Sequence, residues 1–194
     1  MLEKAAELIK QGKIVVFPTE TVYGIGTNGL NEDAVKRLYE VKERPFNKPI
    51  TLLVSDMKMI NQIAKDITEI EYKIMEKFFP GPLTVILKKK DNVPNIVTAG
   101  KDTVGVRMPR GEIARKIAEE AEVPIAAPSA NITGEPSGTN LQEIRKKFEG
   151  KVDLFIDGGI SELGLASTIV QVIDGKPQIL RQGSISLEEI NKIL

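Results

Sequence analysis

The chain has 194 residues, of which 41% are hydrophobic and 28% charged, and its 27 basic side chains balance its 27 acidic ones. This size and composition predict one compact domain over residues 1–194, and the even charge argues against a surface that is basic throughout. Cysteine and histidine are both absent, which excludes thiol nucleophiles, disulfides, serine–histidine triads, the usual zinc sites and histidine acid–base catalysis.

The N-terminal segment and the hydropathy indicate where the protein resides. Residues 1–10 are typical of a charged amphipathic helix and not of a signal peptide, and no apolar run is long enough to span a membrane. We therefore expect a cytoplasmic protein with no membrane partner.

The first half of the chain alternates predicted helices and strands. A helix over 2–11 leads into a buried strand over 13–17. A connection that contains Gly24, Gly26 and Gly29 is predicted to join that strand to a helix over 32–44, capped by Asn31. The elements that follow are a strand over 50–54, a helix opened by Ser55 or Asp56, a helix from Thr68 to Phe79 and a strand over 83–87.

The second half continues this alternation until a hairpin interrupts it. The predicted elements are a strand over 104–107, a helix over 111–121, a strand over 123–127, a helix from the cap Asn140 to 148, a strand over 154–157, strands over 167–173 and 178–181 joined by a turn at 174–175, and a last helix opened by the capping box at Ser186. This order predicts a three-layer α/β fold, with helices on both faces of a twisted, mixed sheet.

Basic side chains concentrate around the predicted end of the helix over 32–44. Five basic residues stand against two acidic ones between positions 36 and 48. The ordinary interpretation is a solvated helix end. The alternative is an anion site, in which Lys42, Arg44 and Lys48 converge as exposed cations on a triphosphate. A local cluster on a neutral chain favours a small anionic ligand over a long polyanion.

Small polar residues follow the strand over 123–127. Ser129 and Asn131 precede Gly134 and Ser137, and two interpretations are equally supported. One is a helix cap or an Asx turn. The other is a ligand site, because polar residues just after a strand of an α/β sheet lie where ligands tend to bind.

Other candidate motifs are weaker. The letters around Gly24, Gly26 and Gly29 match G-x-G-x-x-G, but no helix begins directly after them, and we favour a turn that needs positive φ. Arg107 and Arg181 each end an apolar strand, where a surface ion pair is the ordinary explanation.

Taken together, these segments resemble the YrdC-like family of threonylcarbamoyl-AMP synthases over nearly the whole chain. The resemblance rests on an ordered set of short motifs, each of them weak alone. They are PTETVYG at 18–24, Lys42-x-Arg44, PGPLT at 80–84, VGVRMP at 104–109, Ser129-x-Asn131, STIV at 167–170 and Leu180-Arg181.

The resemblance implies a fold with a concave, positively charged cavity and an ATP-dependent reaction. L-Threonine and bicarbonate would give a carbamate, which attacks the α-phosphorus of ATP, and the products would be threonylcarbamoyl-AMP and pyrophosphate. Mg²⁺ would accompany the nucleotide, and no metal site formed by protein residues is implied. A partner transferase would then modify a tRNA adenosine next to the anticodon, and weak tRNA binding is implied as well.

Matching positions imply roles for individual residues. ATP would be contacted by Arg44, Lys48, Thr103, Ser129, Ser137 and Arg181. L-Threonine would be held by Thr21, Arg107, the backbone of Ala127 and Ser167. The catalytic set would be Lys42, Arg44, Ser129 and Asn131, which line the phosphate and carbamate region.

The chain departs from the family pattern at four positions. Leu53 replaces a histidine that relatives with an extra C-terminal domain often have, Ala166 and Gln171 replace acidic residues, and Gln182 replaces a proline. These changes favour a second hypothesis, a nucleotide- or RNA-binding YrdC paralogue without synthase activity, although phosphate-backbone binding would require a wider basic face. A third hypothesis is an adenylating enzyme that uses another carbamoyl donor.

Overall fold

A computed structural model describes all residues, 1–194. Its eight helices are α1 (Leu2–Lys10), α2 (Glu32–Val41), α3 (Met57–Ile63), α4 (Glu69–Phe78), α5 (Asn95–Thr98), α6 (Glu112–Ala121), α7 (Leu141–Phe148) and α8 (Leu187–Asn191). None of them has both the length and the apolar composition needed to cross a membrane.

Ten strands form one mixed sheet. They are β1 (Val15–Phe17), β2 (Gly24–Asn28), β3 (Leu52–Leu53), β4 (Ala64–Lys65), β5 (Leu83–Lys89), β6 (Thr103–Arg107), β7 (Ile125–Ala126), β8 (Leu154–Phe155), β9 (Thr168–Ile173) and β10 (Lys176–Arg181). Their order is β10-β9-β5-β6-β3-β7-β2-β1-β8, and β4 pairs with β5 beside this path. The pairs β1–β8, β3–β6 and β5–β9 are parallel, and the others are antiparallel.

Helices cover both faces of this sheet. Successive side chains of a strand point to opposite faces. Val15 and Phe17 accordingly pack into a cluster of 12 buried residues with α1 and α6, whereas Ile14 and Val16 belong to a cluster of 32 buried residues that includes side chains of α2, α3, α4, α7 and α8. The predicted α/β architecture with a mixed sheet is therefore confirmed.

The predicted glycine-rich connection is wrong, because Gly24–Asn28 form strand β2 and Gly29 follows directly after it. This strand forms an antiparallel hairpin with β1, with Val15 opposite Gly26 and Phe17 opposite Gly24. None of the three glycines has positive φ. A Cβ atom on Gly26 would lie 2.6 Å from Cγ2 of Ile125, and one on Gly29 would lie 2.5 Å from Cδ2 of Leu52. At Gly26 and Gly29, glycine is present because β3 and β7 pack too closely for a side chain.

Most predicted boundaries agree with the structure where a capping residue marks them. Asn31 accepts a hydrogen bond from the Ala34 N–H at 3.0 Å, and Thr68 and Ser186 form capping boxes. The hairpin between β9 and β10 is also confirmed. The strand predicted over 50–54 is only two residues long, and α5 and β4 were not predicted from the sequence.

Candidate functional site

One cavity brings together side chains from distant parts of the chain. Its polar lining consists mainly of three arginines and several hydroxyl groups, contributed by Arg44, Arg107, Arg181, Thr21, Ser129 and Ser167. These residues lie on the end of β6, the end of β10 and four loops. The cavity therefore exists only when both halves of the sheet are in place.

A Schellman motif at the end of α2 sets the directions of Lys42 and Arg44. The N–H of Glu43 donates to the Glu40 carbonyl at 3.0 Å, and the N–H of Arg44 donates to the Tyr39 carbonyl at 2.9 Å. Glu43 has φ +52° and is the left-handed residue that this motif requires. The reversal sends Lys42 into the protein and Arg44 to the cavity wall.

Lys42 is buried, with only 1% of its surface exposed. Its ammonium group donates to the backbone carbonyl of Ser129 and, at 2.5 Å, to that of Asn131. Burial and then the nearby charge of Arg44 lower the pKa of Lys42 to about 7. The expectation of an exposed cation at position 42 is therefore wrong, because the turn at Glu43 directs this side chain inward.

The Ser129–Asn131 segment extends the sheet beside β2. Ser129 forms an isolated bridge with Gly24, and the Ala130 N–H donates to the Tyr23 carbonyl at 2.7 Å. The Ser129 hydroxyl donates to Oδ1 of Asn131 at 2.5 Å, and Nδ2 of Asn131 donates to the carbonyls of Ile132 and Glu135. The Asn131 side chain thus orders its own loop, and Ser129 is the member of this pair that lines the cavity.

Arg44 closes the loop over residues 44–49. Its Nε donates to the Lys48 carbonyl at 3.1 Å and its Nη2 donates to the Pro49 carbonyl at 2.7 Å. The Tyr39 hydroxyl donates to the same Lys48 carbonyl at 2.8 Å. These contacts hold the Arg44 guanidinium at the cavity, while the Lys48 side chain is exposed and outside it.

A buried ion pair holds Arg107 in the cavity wall. Its Nη2 lies 2.9 Å from a carboxylate oxygen of Glu20, which also accepts hydrogen bonds from the backbone N–H groups of Arg110 and Gly111. Burial alone would raise the pKa of Glu20, but the charge of Arg107 and these hydrogen bonds outweigh it, so the pKa is lowered. The explanation of Arg107 by a surface ion pair is therefore wrong, because its pair with Glu20 lies in the interior.

Thr21 continues this network toward the cavity. Nη1 of Arg107 donates to the Thr21 hydroxyl at 2.8 Å. The Thr19 hydroxyl donates to the Val22 carbonyl and lies 2.8 Å from the Thr21 hydroxyl. The Thr19 hydroxyl also accepts from the Thr21 and Val22 N–H groups at 3.2 and 3.3 Å, so its hydrogen and both its lone pairs are used within this turn.

Arg181 forms no ion pair and is bonded instead to the residue that precedes β9. Its Nε and Nη2 donate to the Ser167 carbonyl at 3.0 and 2.8 Å, and Nη2 also lies 3.1 Å from the Ser167 hydroxyl. The fully buried Thr84 places its hydroxyl 2.9 Å from that of Ser167.

The three arginines of the cavity are partly or fully removed from water, and Arg181 is also repelled by the other two. Burial is the first cause that lowers the pKa of each of them. The charges of Arg107 and Arg44 lower the pKa of Arg181 further. Because these positive charges face one concave space, an anion that enters it would relieve both their desolvation and their repulsion.

The structure brings together seven of the twelve residues that the sequence analysis proposed for the site. Arg44, Thr21, Arg107, Ala127, Ser129, Ser167 and Arg181 line this cavity. Thr103 lines a second cavity, which shares Pro49 with the first. Lys42 and Asn131 lie behind the wall, and Lys48 and Ser137 line neither cavity.

Two buried residues of the site were missed in the sequence analysis. Glu20 and Thr84 lie within the motifs PTETVYG and PGPLT, but each acts through a partner distant in sequence, Arg107 and Ser167 respectively. No local pattern shows such pairings.

Three of the four departures from the family pattern lie at these cavities. Leu53 and Ala166 line the first and Gln171 the second, whereas Gln182 donates to the carbonyls of Gly183 and Ile185. The wall near Ser167 is therefore less acidic than the family pattern. No group of three or more acidic side chains in the structure could hold a metal ion.

Comparisons with known proteins give one consistent result. The model of the Sua5/YciO/YrdC family, described as "Telomere recombination", matches residues 7–183. A threonylcarbamoyl-AMP synthase of Pyrococcus abyssi (strain GE5 / Orsay) is 46% identical over 190 residues, which cover 98% of this chain and 56% of that protein. A threonylcarbamoyl-AMP synthase of Bacillus subtilis (strain 168) is 39% identical over 194 residues, 100% of this chain and 56% of that protein.

A solved structure agrees with these sequence matches. The crystal structure of P. abyssi Sua5 complexed with L-threonine superposes with a TM-score of 0.96 at 46% identity, and the match covers 100% of this chain and 57% of that one. The chain therefore spans a little over half the length of these P. abyssi and B. subtilis relatives.

Proposed function

The chain belongs to the Sua5/YciO/YrdC family, and on that premise we propose that it forms threonylcarbamoyl-AMP from L-threonine, bicarbonate and ATP. One observation supports this most strongly: a single cavity collects three arginines and the hydroxyl groups of distant signature segments. Carboxylate and phosphate groups are the anions that such a lining binds best.

The proposed reaction has two steps. The amine of L-threonine and bicarbonate combine, with loss of water, to give a carbamate. A carbamate oxygen then attacks the α-phosphorus of ATP, the bond from that phosphorus to the bridging oxygen breaks, and pyrophosphate leaves. Neither step forms a covalent bond to the protein, so the protein contributes alignment and fixed charge.

Residue roles follow from this proposal. Thr21, Arg107, Ser167 and the backbone of Ala127 would hold L-threonine. The Ala127 N–H is bonded to the Thr51 carbonyl at 3.0 Å, so the group that Ala127 offers is its own carbonyl. Arg44, Lys48, Thr103, Ser129, Ser137 and Arg181 would contact ATP. Lys42 and Asn131 would act from behind the wall, since both hold the segment that contains Ser129.

Mg²⁺ would enter with the nucleotide. The cavity is lined by arginines and hydroxyl groups and not by a cluster of carboxylates, which suits phosphate oxygens and not a free cation. The metal would be ligated by the phosphates of ATP, where it neutralises their charge.

The proposed product has a place in tRNA modification. A mixed anhydride of a carbamate with AMP is an activated acyl donor, so a second enzyme must transfer the threonylcarbamoyl group. We propose a tRNA adenosine next to the anticodon as acceptor, with weak tRNA binding by this chain and cytoplasmic localisation.

Pyrophosphate release tests the proposal. The 194-residue chain is incubated with ATP, Mg²⁺, bicarbonate and L-threonine, and each component is omitted in turn. We expect release that requires both L-threonine and bicarbonate. Release with another carbamoyl donor in place of L-threonine would identify a different adenylating enzyme, and tRNA binding without any release would favour a paralogue without synthase activity.

A further inference from the structure

A pair of hydroxyl groups forms part of the wall behind the cavity. Thr84 lies in β5 and Ser167 directly precedes β9, and these strands pair in parallel with Leu83 opposite Thr168. The two hydroxyl oxygens lie 2.9 Å apart. Ser167 lines the cavity, whereas Thr84 is fully buried and does not.

The available hydrogens determine whether the Thr84 or the Ser167 hydroxyl is the donor. Nη2 of Arg181 already donates to the Ser167 hydroxyl at 3.1 Å. The Ser167 hydroxyl is the one hydrogen-bond partner of the Thr84 hydroxyl. If Ser167 donated to Thr84, the hydrogen of Thr84 would be buried without an acceptor, which is costly. Thr84 must therefore donate, and Ser167 accepts from both neighbours.

This arrangement leaves the Ser167 hydrogen without an acceptor in the protein. A hydroxyl has one hydrogen and two lone pairs. Both lone pairs of Ser167 are occupied, by Arg181 and Thr84, so its hydrogen is available only to the cavity. The wall thus offers a hydrogen-bond donor at Ser167.

We propose that Thr84 is a positioning residue, which fixes the Ser167 hydroxyl as a hydrogen-bond donor into the cavity, so that the ligand group facing Ser167 is an oxygen acceptor such as a carboxylate. This inference rests on the proposed function, in which Ser167 contacts L-threonine. Thr84 acts only through Ser167 and touches no substrate.

Substitutions at Thr84 test the inference through the pyrophosphate assay. Thr84→Val keeps the shape and removes the hydroxyl, and we expect the KM for L-threonine to rise about tenfold with kcat changed less than about twofold. Thr84→Ser restores the hydroxyl and should return the KM to within about twofold of the wild type. Thr27→Val is the matched control, because Thr27 is equally buried but its hydroxyl has no partner.

A double variant distinguishes positioning of Ser167 from a general disturbance of the site. If Thr84 acts through Ser167, Thr84→Val combined with Ser167→Ala should have the same KM as Ser167→Ala alone. Additive effects, an unchanged KM in Thr84→Val, or an equal rise in Thr27→Val would overturn the inference.

Crystal structures of the wild type and Thr84→Val distinguish failure of this inference from failure of the proposed function. Absence of threonine-dependent pyrophosphate release from the wild type would refute the proposed function. The positioning of Ser167 would then be decided by its side-chain torsion. A rotated hydroxyl in Thr84→Val supports the inference, and an unchanged hydroxyl overturns it.

Discussion

At the scale of single residues, Lys42 joins the two signature pairs. Its ammonium group donates to the two carbonyls on either side of Ala130, and it is the one protein donor to the Asn131 carbonyl. A long cationic side chain is rarely buried unless it is bonded in this way. Lys42 is therefore part of the framework of the site, and its loss should affect the fold as well as the reaction.

Replacing Lys42 by methionine should destabilise the protein. Methionine fills a similar volume but leaves the buried Asn131 carbonyl without a donor, which costs about 1–3 kcal/mol in the free energy of unfolding. The Ser129 carbonyl keeps its hydrogen bond from the Asn131 N–H. Urea unfolding at pH 7 measures the loss. Lys36→Met, at an exposed position of the same helix, should stay within about 0.5 kcal/mol of the wild type. Equal stability of the two variants would contradict the framework role.

Lys42 should also make the unfolding free energy depend on pH. Its pKa is about 7 in the folded protein against an ordinary 10.5, so between these values the unfolded chain binds the extra proton. The stability of the wild type relative to Lys42→Met should therefore rise with pH, by at most about 1.4 kcal/mol per pH unit. Below pH 7 Lys42 is protonated in both the folded and the unfolded protein, so the stability difference between the wild type and Lys42→Met should not change with pH. Urea unfolding at several pH values measures it, and a flat difference above pH 7 would mean that the carbonyls keep the ammonium charged.

The sequence indicated which residues mattered near Lys42 but not which way they pointed. The basic cluster and the Ser129–Asn131 pair do meet in space. Whether Lys42 or Arg44 faces the cavity depends on one backbone angle at Glu43. A glutamate gives no local signal of positive φ, as a glycine would.

At the scale of elements, the turn after α2 contains one strained residue, and this turn directs Lys42 into the protein and Arg44 to the cavity. Glu43 adopts the left-handed conformation, which costs a non-glycine residue roughly 1–2 kcal/mol. Glu43→Gly should therefore stabilise the protein by about 1 kcal/mol, reduced somewhat by the greater freedom of glycine in the unfolded chain.

Thermal unfolding compares Glu43→Gly with a matched change. Glu40→Gly makes the same substitution inside the last turn of α2, where glycine should cost about 1 kcal/mol. Opposite shifts in Tm are expected for the two variants. Shifts of the same sign would show that the Schellman turn is not the source of strain.

The β1–β2 hairpin illustrates a limit of sequence patterns. A glycine can mark either positive φ or a close approach of neighbouring atoms, and the letters are the same for both. At Gly26 the reason is a side chain of β7, which is about a hundred positions away in sequence. Caps could be predicted because they depend on residues three positions apart, whereas long-range packing could not.

At the scale of the whole molecule, arginines are concentrated in one place although the overall charge is even. The basic and acidic residues are equal in number, yet three arginines line one cavity. Their burial, and the repulsion of Arg181 by Arg44 and Arg107, are costs that the free protein bears. Binding of a polyanion should therefore stabilise the fold as well as occupy the site.

ATP should raise the Tm of the protein. A ligand at 100 times its Kd adds about 2.7 kcal/mol to the free energy of unfolding. Arg44→Gln should reduce this shift, because Arg44 lines the cavity, whereas Arg110→Gln removes an exposed arginine paired with Glu162 and should retain it. A full ATP shift in Arg44→Gln would place the nucleotide elsewhere.

The overall architecture could be predicted from the sequence more completely than the site. Hydrophobic runs, caps and the hairpin turn gave the order of most elements and the α/β class. The burial of Lys42 and Arg107 and the roles of Glu20 and Thr84 arise from contacts between strands and loops that are distant in sequence. Such contacts form no local pattern.

The hairpin of β9 and β10 lies at one edge of the sheet, although Arg181 at its end belongs to the cavity wall. Edge elements open more readily than the centre of a sheet. If the β9–β10 hairpin opened, Arg181 would separate from Ser167 while the central strands stayed paired. Mild heating should consequently abolish ligand affinity before cooperative melting begins, so that inactivation and denaturation occur as separate events.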